Sequence, residues 1–369
     1  MEISKINLIN FRNYEKLDIS LNKNMNIFIG SNAQGKTNIL ESIVMLALTK
    51  SHRSGNEENI IKFGKKKAKI KGKIKNGKFV KELEVDLEVG NKKLLINKTN
   101  IQKNSDYISN LNIISFTPND LEIIKGSPSI RRNILNIQLS QLSKRYLNTY
   151  NEYNKLLRTR NEYLKLLLTN SIADKKYLDI ITDKLIDKAI FIYQQRKEYI
   201  DLVNQQISII YNDIAGEDGL YINYLPNINI VDYDDEKLKI FMKKIYDDNY
   251  KKELNYGMTL FGPHRDDFSF MLNDSDLKLF GSQGQQKLSV LCYKLSEINI
   301  FEEICNTKPV LLLDDVFSEL DIKKRNKLLK YVSCDIQSII TTTDLKNIQK
   351  KYLSNAFIFE VENGKIVRK

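Results

Sequence analysis

Three short stretches of this 369-residue chain carry residues whose types and spacing can do chemistry. The first is GSNAQGKT, Gly30 to Thr37, which follows the strand-like MNIFI and opens the helix-like KTNILESIVMLAL. A glycine loop between a strand and a helix start turns unpaired N–H groups and the positive helix end towards phosphate. In this G-x-x-x-x-G-K-T spacing the backbone of Gly30, Ser31, Asn32, Ala33, Gln34 and Gly35 cradles the phosphates of ATP or GTP. Lys36 reaches the β- and γ-phosphates and Thr37 holds Mg²⁺.

The second stretch is PVLLLDDVFSELD. Val310 to Leu313 read as a buried parallel strand whose end delivers Asp314 and Asp315. Asp314 is expected to hold Mg²⁺ through water, and Asp315 to orient or deprotonate the attacking water; two aspartates that merely solvate a turn are the alternative. IQSIITTTDL reads as the next parallel strand, ending at Thr341, Thr342 and Thr343. The third stretch, FGSQGQQKLSV, places Ser282, Gly284 and Gln285 ahead of another helix, a second phosphate-facing helix start. A serine N-cap with no ligand is the competing reading.

Composition narrows the class. The chain has 58 Lys+Arg against 46 Asp+Glu, a formal net charge of +12, so an anionic partner is expected, nucleic acid before membrane. No apolar run approaches the ~18 residues of a membrane span. Cys292, Cys305 and Cys334 are isolated, and only His52 and His264 could join them, which disfavours zinc. The N-terminus lacks the apolar block of a signal peptide, so a reduced, cytoplasmic protein is expected.

The most conspicuous basic run, KKKAKIKGKIKNGKFVKELEVDLEV, folds on paper into a hairpin about Asn76-Gly77. Lys71 then meets Glu82, Lys69 meets Glu84, Lys67 meets Asp86 and Lys65 meets Glu88. Ile74 meets Phe79, Ile70 meets Leu83 and Ala68 meets Val85 on the other face. That charge ladder leaves only Lys73, Lys75 and Lys78 uncompensated at the tip, with Lys75 and Lys78 as DNA candidates.

Short strands and one helix fill the first part of the chain. From Arg131 to about Ile210 apolar residues recur at helical spacing instead. One stripe runs Leu139, Leu142, Tyr146, Tyr150, Tyr153, Leu157, Leu164, Leu168, and a second from Leu178 to Ile210. Two antiparallel helices of ~30 residues, ~45 Å each, are expected, a stub of coiled coil. Strand-like sequence resumes near Met258. The expected organisation is residues 1–132 as the first part of an ATPase domain, 133–255 as a helical insertion, and 256–369 as the second part.

The order of P-loop, insertion, signature-like helix and Asp-Asp strand resembles the split ATPase heads of the SMC type. FRNY (Phe11 to Tyr14), GSNAQGKTNILE, SHRS (Ser51 to Ser54), KGSPSIRR (Lys125 to Arg132), FGPHRDD (Phe261 to Asp267), FGSQGQQK and LLLDDVFSELD together resemble the RecF family. That resemblance spans the whole length. It implies an α/β fold, an ABC-type, SMC-like ATPase head split in sequence around a helical domain. It further implies weak, DNA-stimulated ATP hydrolysis and ATP-dependent homodimers, in which Ser282, Gly284 and Gln285 close on the partner copy's nucleotide. It also implies action on single-stranded or gapped DNA with RecR and RecO, helping to load RecA in repair, replication restart and the SOS response.

Relative to generic ABC motifs, Gly281 and Gln283 replace the usual Leu and Gly, Asp315 replaces glutamate, and Thr342 or Thr343 stands where transporters place histidine. A shorter carboxylate reaches water less well, so slow turnover is expected. By family position, Arg12, His52 and Arg53 stand close to nucleotide or DNA, with surface ion pairs as the alternative. Arg131 or Arg132 is a candidate phosphate contact, with helix capping as the alternative. His264, Arg265, Asp266 and Asp267 read as a structural turn or an interface, and poorly as a metal site. A transporter ATPase subunit is the alternative function, disfavoured by the helical insertion and the absent histidine. A nuclease of the overcoming-lysogenisation type would need a further acidic domain, which is not expected.

Overall fold

The structure, a computed structural model, describes residues 1–51, 53, 57–169, 174–319, 321–332, 335–345 and 349–369. They form two compact units, residues 1–121, 206–218 and 287–369 in the first and 122–205 and 219–286 in the second.

The strands of the described residues, in chain order, are β1 (Glu2–Phe11), β2 (Tyr14–Ser20), β3 (Met25–Ile29), β4 (Lys67–Asn76), β5 (Phe79–Glu88), β6 (Asn91–Ile96), β7 (Thr99–Ile101) and β8 (Ile113–Phe116). They continue as β9 (Leu220–Leu225), β10 (Asp267–Leu272), β11 (Ser275–Asp276), β12 (Val310–Asp314), β13 (Ser338–Thr342), β14 (Ala356–Glu362) and β15 (Lys365–Arg368). In the first unit an antiparallel sheet runs β2-β1-β4-β5-β6-β7, and a second sheet runs β15-β14-β3-β13-β12-β8. β14, β3, β13, β12 and β8 are parallel, and β15 closes the edge as a hairpin.

These orders follow from residue pattern. β12 and β13 are buried at every position, as apolar runs in a sheet covered on both faces must be, whereas β2 and β4 alternate. The helix Lys36–Leu48 leaves β3 and packs its apolar residues against both sheets. It lies so close to β4 that a Cβ on Gly72 would stand 2.3 Å from Leu46 Cδ2. That contact fixes the P-loop helix on its support.

The β4–β5 loop lies one residue later than the Asn76-Gly77 expectation, which shifts the pairing by two residues. Asn76 pairs with Phe79, and the loop is Gly77-Lys78, with Gly77 at φ 57°. Glycine at the first loop position suits the twist-matched two-residue turn. A shift of two keeps every side chain on its face but changes its partner. Lys71 stands opposite Glu84, Lys69 opposite Asp86 and Lys67 opposite Glu88, while Ile74 faces Lys81 and Ile70 faces Val85. The lysines lean diagonally, so Lys71–Glu82 at 2.8 Å and Lys69–Glu84 at 2.6 Å do form. Lys75 is not free at the tip, because Glu2 on β1 lies 3.6 Å from it.

In the second unit β11-β10-β9 form an antiparallel sheet beside helices Pro128–Leu142, Lys144–Thr169, Lys175–Ala215 (to residue 205), Asp235–Asp248 and Tyr250–Tyr256. Helices Lys144–Thr169 and Lys175–Ala215 run antiparallel: Glu152 pairs with Lys188, Arg160 donates to Thr182, and Tyr163 meets Tyr177 edge-on. Their lengths are unequal, 26 and 41 residues, where equal helices were expected. The first apolar stripe is also not one helix. Ser143 ends Pro128–Leu142 in an extended conformation, and its Oγ accepts from the Tyr146 N–H at 3.1 Å to start the next. Periodicity passes through such a cap without registering it.

The units divide at 121/122 and 286/287, with a detour at 206–218, rather than at 132/133 and 255/256. Residues 122–132 and 256–286 join the helical unit through tertiary pairing. Arg131 forks onto Asp267, and β10 pairs with β9, a strand that begins well before Met258.

Candidate nucleotide-binding site

β3, β13 and β12 end side by side, and their C-terminal ends carry the P-loop, Thr341 and the Asp314-Asp315 pair. Open parallel sheets place ligands at such strand ends. Gly35 caps the helix Lys36–Leu48 at φ 111°, with no side chain on the first-turn N–H groups. A Cβ at Gly35 would sit 2.5 Å from Asn13 Nδ2, so glycine is needed for both space and conformation. Between these elements lies a cavity of about 400 Å³ walled by Lys36, Thr37, Asn38, Arg53, Asp314 and Asp315.

Lys36 Nζ donates to the Gly30 and Ser31 carbonyls at 2.5 and 2.9 Å, which curls the side chain over the loop. Burial lowers its pKa, opposed by the charges of Asp315 and Asp314. Thr37 Oγ1 donates to Asp314 Oδ1 at 3.0 Å, and Thr341 Oγ1 donates to the same oxygen at 2.5 Å. The Asp315 N–H donates to the Thr341 hydroxyl and carbonyl at 3.1 and 3.2 Å, and Asp315 adopts φ 49°. That left-handed turn directs the second carboxylate away from the strand direction. A hydroxyl and a carboxylate in contact form a hard oxygen donor pair that suits Mg²⁺, with room left for water and phosphate.

The loop is braced from below by the turn between β1 and β2. Arg12 forks onto Glu41 at 2.9 and 2.6 Å. Asn13 donates to the Gln34 carbonyl at 3.1 Å and accepts from Asn38 at 2.9 Å, and Tyr14 donates to the Gly35 carbonyl at 3.0 Å. From the sheet edge, the Asn363 N–H donates to Gln34 Oε1 at 2.6 Å. Burial alone would raise the Glu41 carboxyl. Hydrogen bonds from Arg12 and Ser51, with the charges of Arg12 and Arg53, hold it below its ordinary value instead.

Lys36, Thr37, Asp314, Asp315 and the backbone of residues 30–37 thus lie together as the spacing predicts. Arg53 joins them on the cavity wall, donating to Asn38 Oδ1 at 2.9 Å. Arg12 belongs to the brace. His52 and Ser54 lie outside the described residues. Sequence reasoning gave no individual role to Asn13, Glu41 or Thr341. Asn13 and Glu41 reveal no role by spacing, and of three adjacent threonines only strand register singles out Thr341.

In the second unit Ser282 Oγ accepts from the Gln285 N–H at 3.2 Å while Gln285 Oε1 accepts from the Ser282 N–H at 2.9 Å. This reciprocal capping box starts helix Gln283–Cys305 and leaves open space around Gly284. Arg131 is buried, its fork on Asp267 completed by the Ile123, Ile124 and Gly126 carbonyls, so it cannot reach a phosphate. Arg132 donates to the Asp266 carbonyl at 2.7 Å. Asp266 accepts from Arg196, Tyr224 and the Asn227 N–H, and His264 bonds Tyr153 and the Thr259 carbonyl. Those bonds make the GPHRDD segment a structural junction, with Asp266 buried and Arg265 exposed. Lys78 stays exposed at the hairpin loop. Among the described residues no group of metal-ligating side chains forms a metal cluster, and no helix is long and apolar enough to cross a membrane.

The sequence model of the RecF/RecN/SMC N terminal domain family matches residues 2–366. The chain is 37% identical to the DNA replication and repair protein RecF of Shouchella clausii, over the whole of both proteins. It is 39% identical to that of Lactobacillus johnsonii, again over the whole of both. Among solved structures, the recombination mediator protein RecF–ATP in the RecFOR pathway superposes with a TM-score of 0.90 at 31% identity, covering 100% of this chain and 99% of that one. An Smc head bound to the C-winged helix domain of ScpA superposes at 0.57 and 14% identity, covering 100% and 98%, which shows a shared ABC-type ATPase fold. With family model, relatives and fold in agreement over its full length, the chain belongs to the RecF family.

Proposed function

We propose that this chain is an ATP-dependent DNA-binding protein of recombinational repair and replication, in which slow ATP hydrolysis acts as a switch. The observation that carries the reading is the convergence of Lys36, Thr37, Asp314 and Asp315 on one cavity, with Thr341 donating to Asp314. Full-length kinship to proteins named for DNA replication and repair supports the biological side.

On nucleotide binding, Lys36 exchanges the Gly30 and Ser31 carbonyls for the β- and γ-phosphates, and the free N–H groups at the helix start donate to phosphate oxygens. Thr37 and Asp314 would hold Mg²⁺, which supplies neutralisation of the phosphate charge. Asp315, fixed through Thr341, orients the attacking water and accepts its proton. As an aspartate it reaches less far than a glutamate, which supports slow turnover. Ser282, Gly284 and Gln285, exposed or half-buried at their helix start, would close on the nucleotide of a second copy, giving ATP-dependent dimers on single-stranded or gapped DNA. Partnership with RecR and RecO in loading RecA, in the cytoplasm and within the SOS response, comes with the family likeness.

The test is molar mass by light scattering with and without Mg-ATP, for the native chain, Lys36→Met and Ser282→Arg. ATP should double the native mass and leave both variants monomeric. A native chain that stays monomeric with ATP bound, with and without DNA, would sink the switch.

A further inference from the structure

Phe63 is the most exposed large apolar side chain of the described residues, at 101% of its reference area. It does not hang from a loose loop. The Lys65 N–H donates to the Lys62 carbonyl at 2.9 Å, and Gly64 has φ 78°, so Lys62 to Lys65 form a hydrogen-bonded turn with Phe63 at its apex. Glycine at that third position supplies the positive φ that such a turn requires. The turn is anchored from behind, with the Lys62 N–H on the Asn10 carbonyl at 2.8 Å and the Phe11–Ile61 bridge beside it. A backbone anchored this way presents the ring to solvent at one defined place on the surface.

What covers it is indicated by its neighbours. Lys62 lies 3.6 Å from Glu15, and Lys67 lies 3.2 Å from Glu88. Lys65 and Lys66 are exposed and, among the described residues, make no ion pair. A protein-binding anchor sits in a contiguous apolar core with charged residues excluded. Phe63 is instead flanked in the chain by Lys62, Lys65 and Lys66. An aromatic platform beside unpaired lysines is how nucleic acid is held without sequence preference, bases on the ring and phosphates on the cations.

From this geometry we infer that the Lys62–Lys65 turn, with Lys66, is a nucleic-acid contact in which Phe63 stacks on an unpaired base while Lys65 and Lys66 take the flanking phosphates. The inference rests on the DNA-binding reading above and adds the surface and the mode. It also connects that surface to the P-loop. Lys62 Nζ donates to the Asn13 carbonyl at 3.4 Å, and the Asn13 side chain bonds Gln34 and Asn38. These bonds join the turn to the residue that braces the glycine loop.

The chain contains no tryptophan, so Phe63→Trp installs a single tryptophan at the apex, to be excited selectively over the 19 tyrosines. The full-length variant is titrated with oligonucleotides carrying a single-stranded gap or fully paired, with ATP, while anisotropy of a labelled strand reports binding for native and variant chains. Gapped DNA should quench the tryptophan, and Tyr256→Trp in the helical unit should not respond. Phe63→Ala should weaken gapped-DNA binding about tenfold. Lys65→Ala with Lys66→Ala should flatten the dependence of log K on log salt by roughly 1.5 to 2.

DNA binding by anisotropy with unchanged tryptophan fluorescence in the Phe63→Trp variant overturns the contact and leaves the DNA-binding reading standing. A signal that changes with ATP alone and grows with protein concentration makes Phe63 a contact between copies and overturns the assignment. A native chain that binds neither DNA overturns both.

Discussion

The Arg12 guanidinium meets both carboxylate oxygens of Glu41, which is fully buried, and so fastens the β1–β2 turn to the P-loop helix. Fork-to-carboxylate pairing fixes orientation as well as distance. The loop of residues 30–35 is thereby held by a residue outside the cavity wall. Arg12→Ala leaves a buried carboxylate without its main partner and should cost about 3 kcal/mol. Urea unfolding of the first unit measures this, and a loss below ~1 kcal/mol would mean that Ser51 and Arg53 suffice. Arg12→Lys should recover only part of it, because a lysine cannot make the fork.

Glu41 also sets an acid limit. Its folded pKa lies below the unfolded value, so its contribution is present above the unfolded carboxylate range and is lost as pH falls through the folded value. Glu41→Gln should flatten the stability profile in that acidic window and be less stable above it. Equal acid slopes in the two proteins would refute the assignment.

His264 in the second unit acts over a different window. Burial pushes it down to about 4, against the hydrogen bond to the Thr259 carbonyl and helped by the nearby Arg265, Arg132 and Arg196. The unfolded chain takes up the proton first, so this stability is present above about 6.5 and declines until about pH 4. NMR titration should show a neutral ring at pH 6. A ring that titrates near its ordinary value would contradict the buried contact with Tyr153.

Asp315 and Asp314 should separate binding from chemistry. Asp315→Asn keeps the backbone contacts to Thr341 and should bind ATP while losing turnover by about 100-fold or more. Asp314→Asn disturbs the oxygen shared by Thr37 and Thr341, and should weaken the Mg²⁺-dependent part of ATP binding. Equilibrium binding with and without Mg²⁺, beside single-turnover hydrolysis, distinguishes the two. Identical profiles would remove the division of roles.

Arg131→Lys keeps the charge but breaks the fork on Asp267 and the contacts to three carbonyls. Expected is a lower unfolding midpoint for the helical unit with the salt dependence of DNA binding unchanged. A flatter salt dependence with full stability would return Arg131 to the DNA surface.

The sequence by itself determined the glycine loop between strand and helix, its lysine and threonine, the two strand-end aspartates, the parallel strands that carry them and the antiparallel helix pair. Each is written in local spacing: a glycine pattern between strand and helix, an unbroken apolar run, a stripe at helical period. Only the tertiary structure decided the rest, because the deciding partners are distant in the chain. Strand order selects Thr341 from three adjacent threonines, and the β1–β2 turn meets Gln34 and Glu41 in a fold where β1 pairs with β4. The hairpin register moved by two residues because Gly77 suited the first loop position, which face alternation cannot detect. Arg131, read as a possible phosphate contact, is consumed by Asp267, more than a hundred residues away in the chain. A charge is visible in a sequence, but whether it is already neutralised depends on which segments the fold brings together.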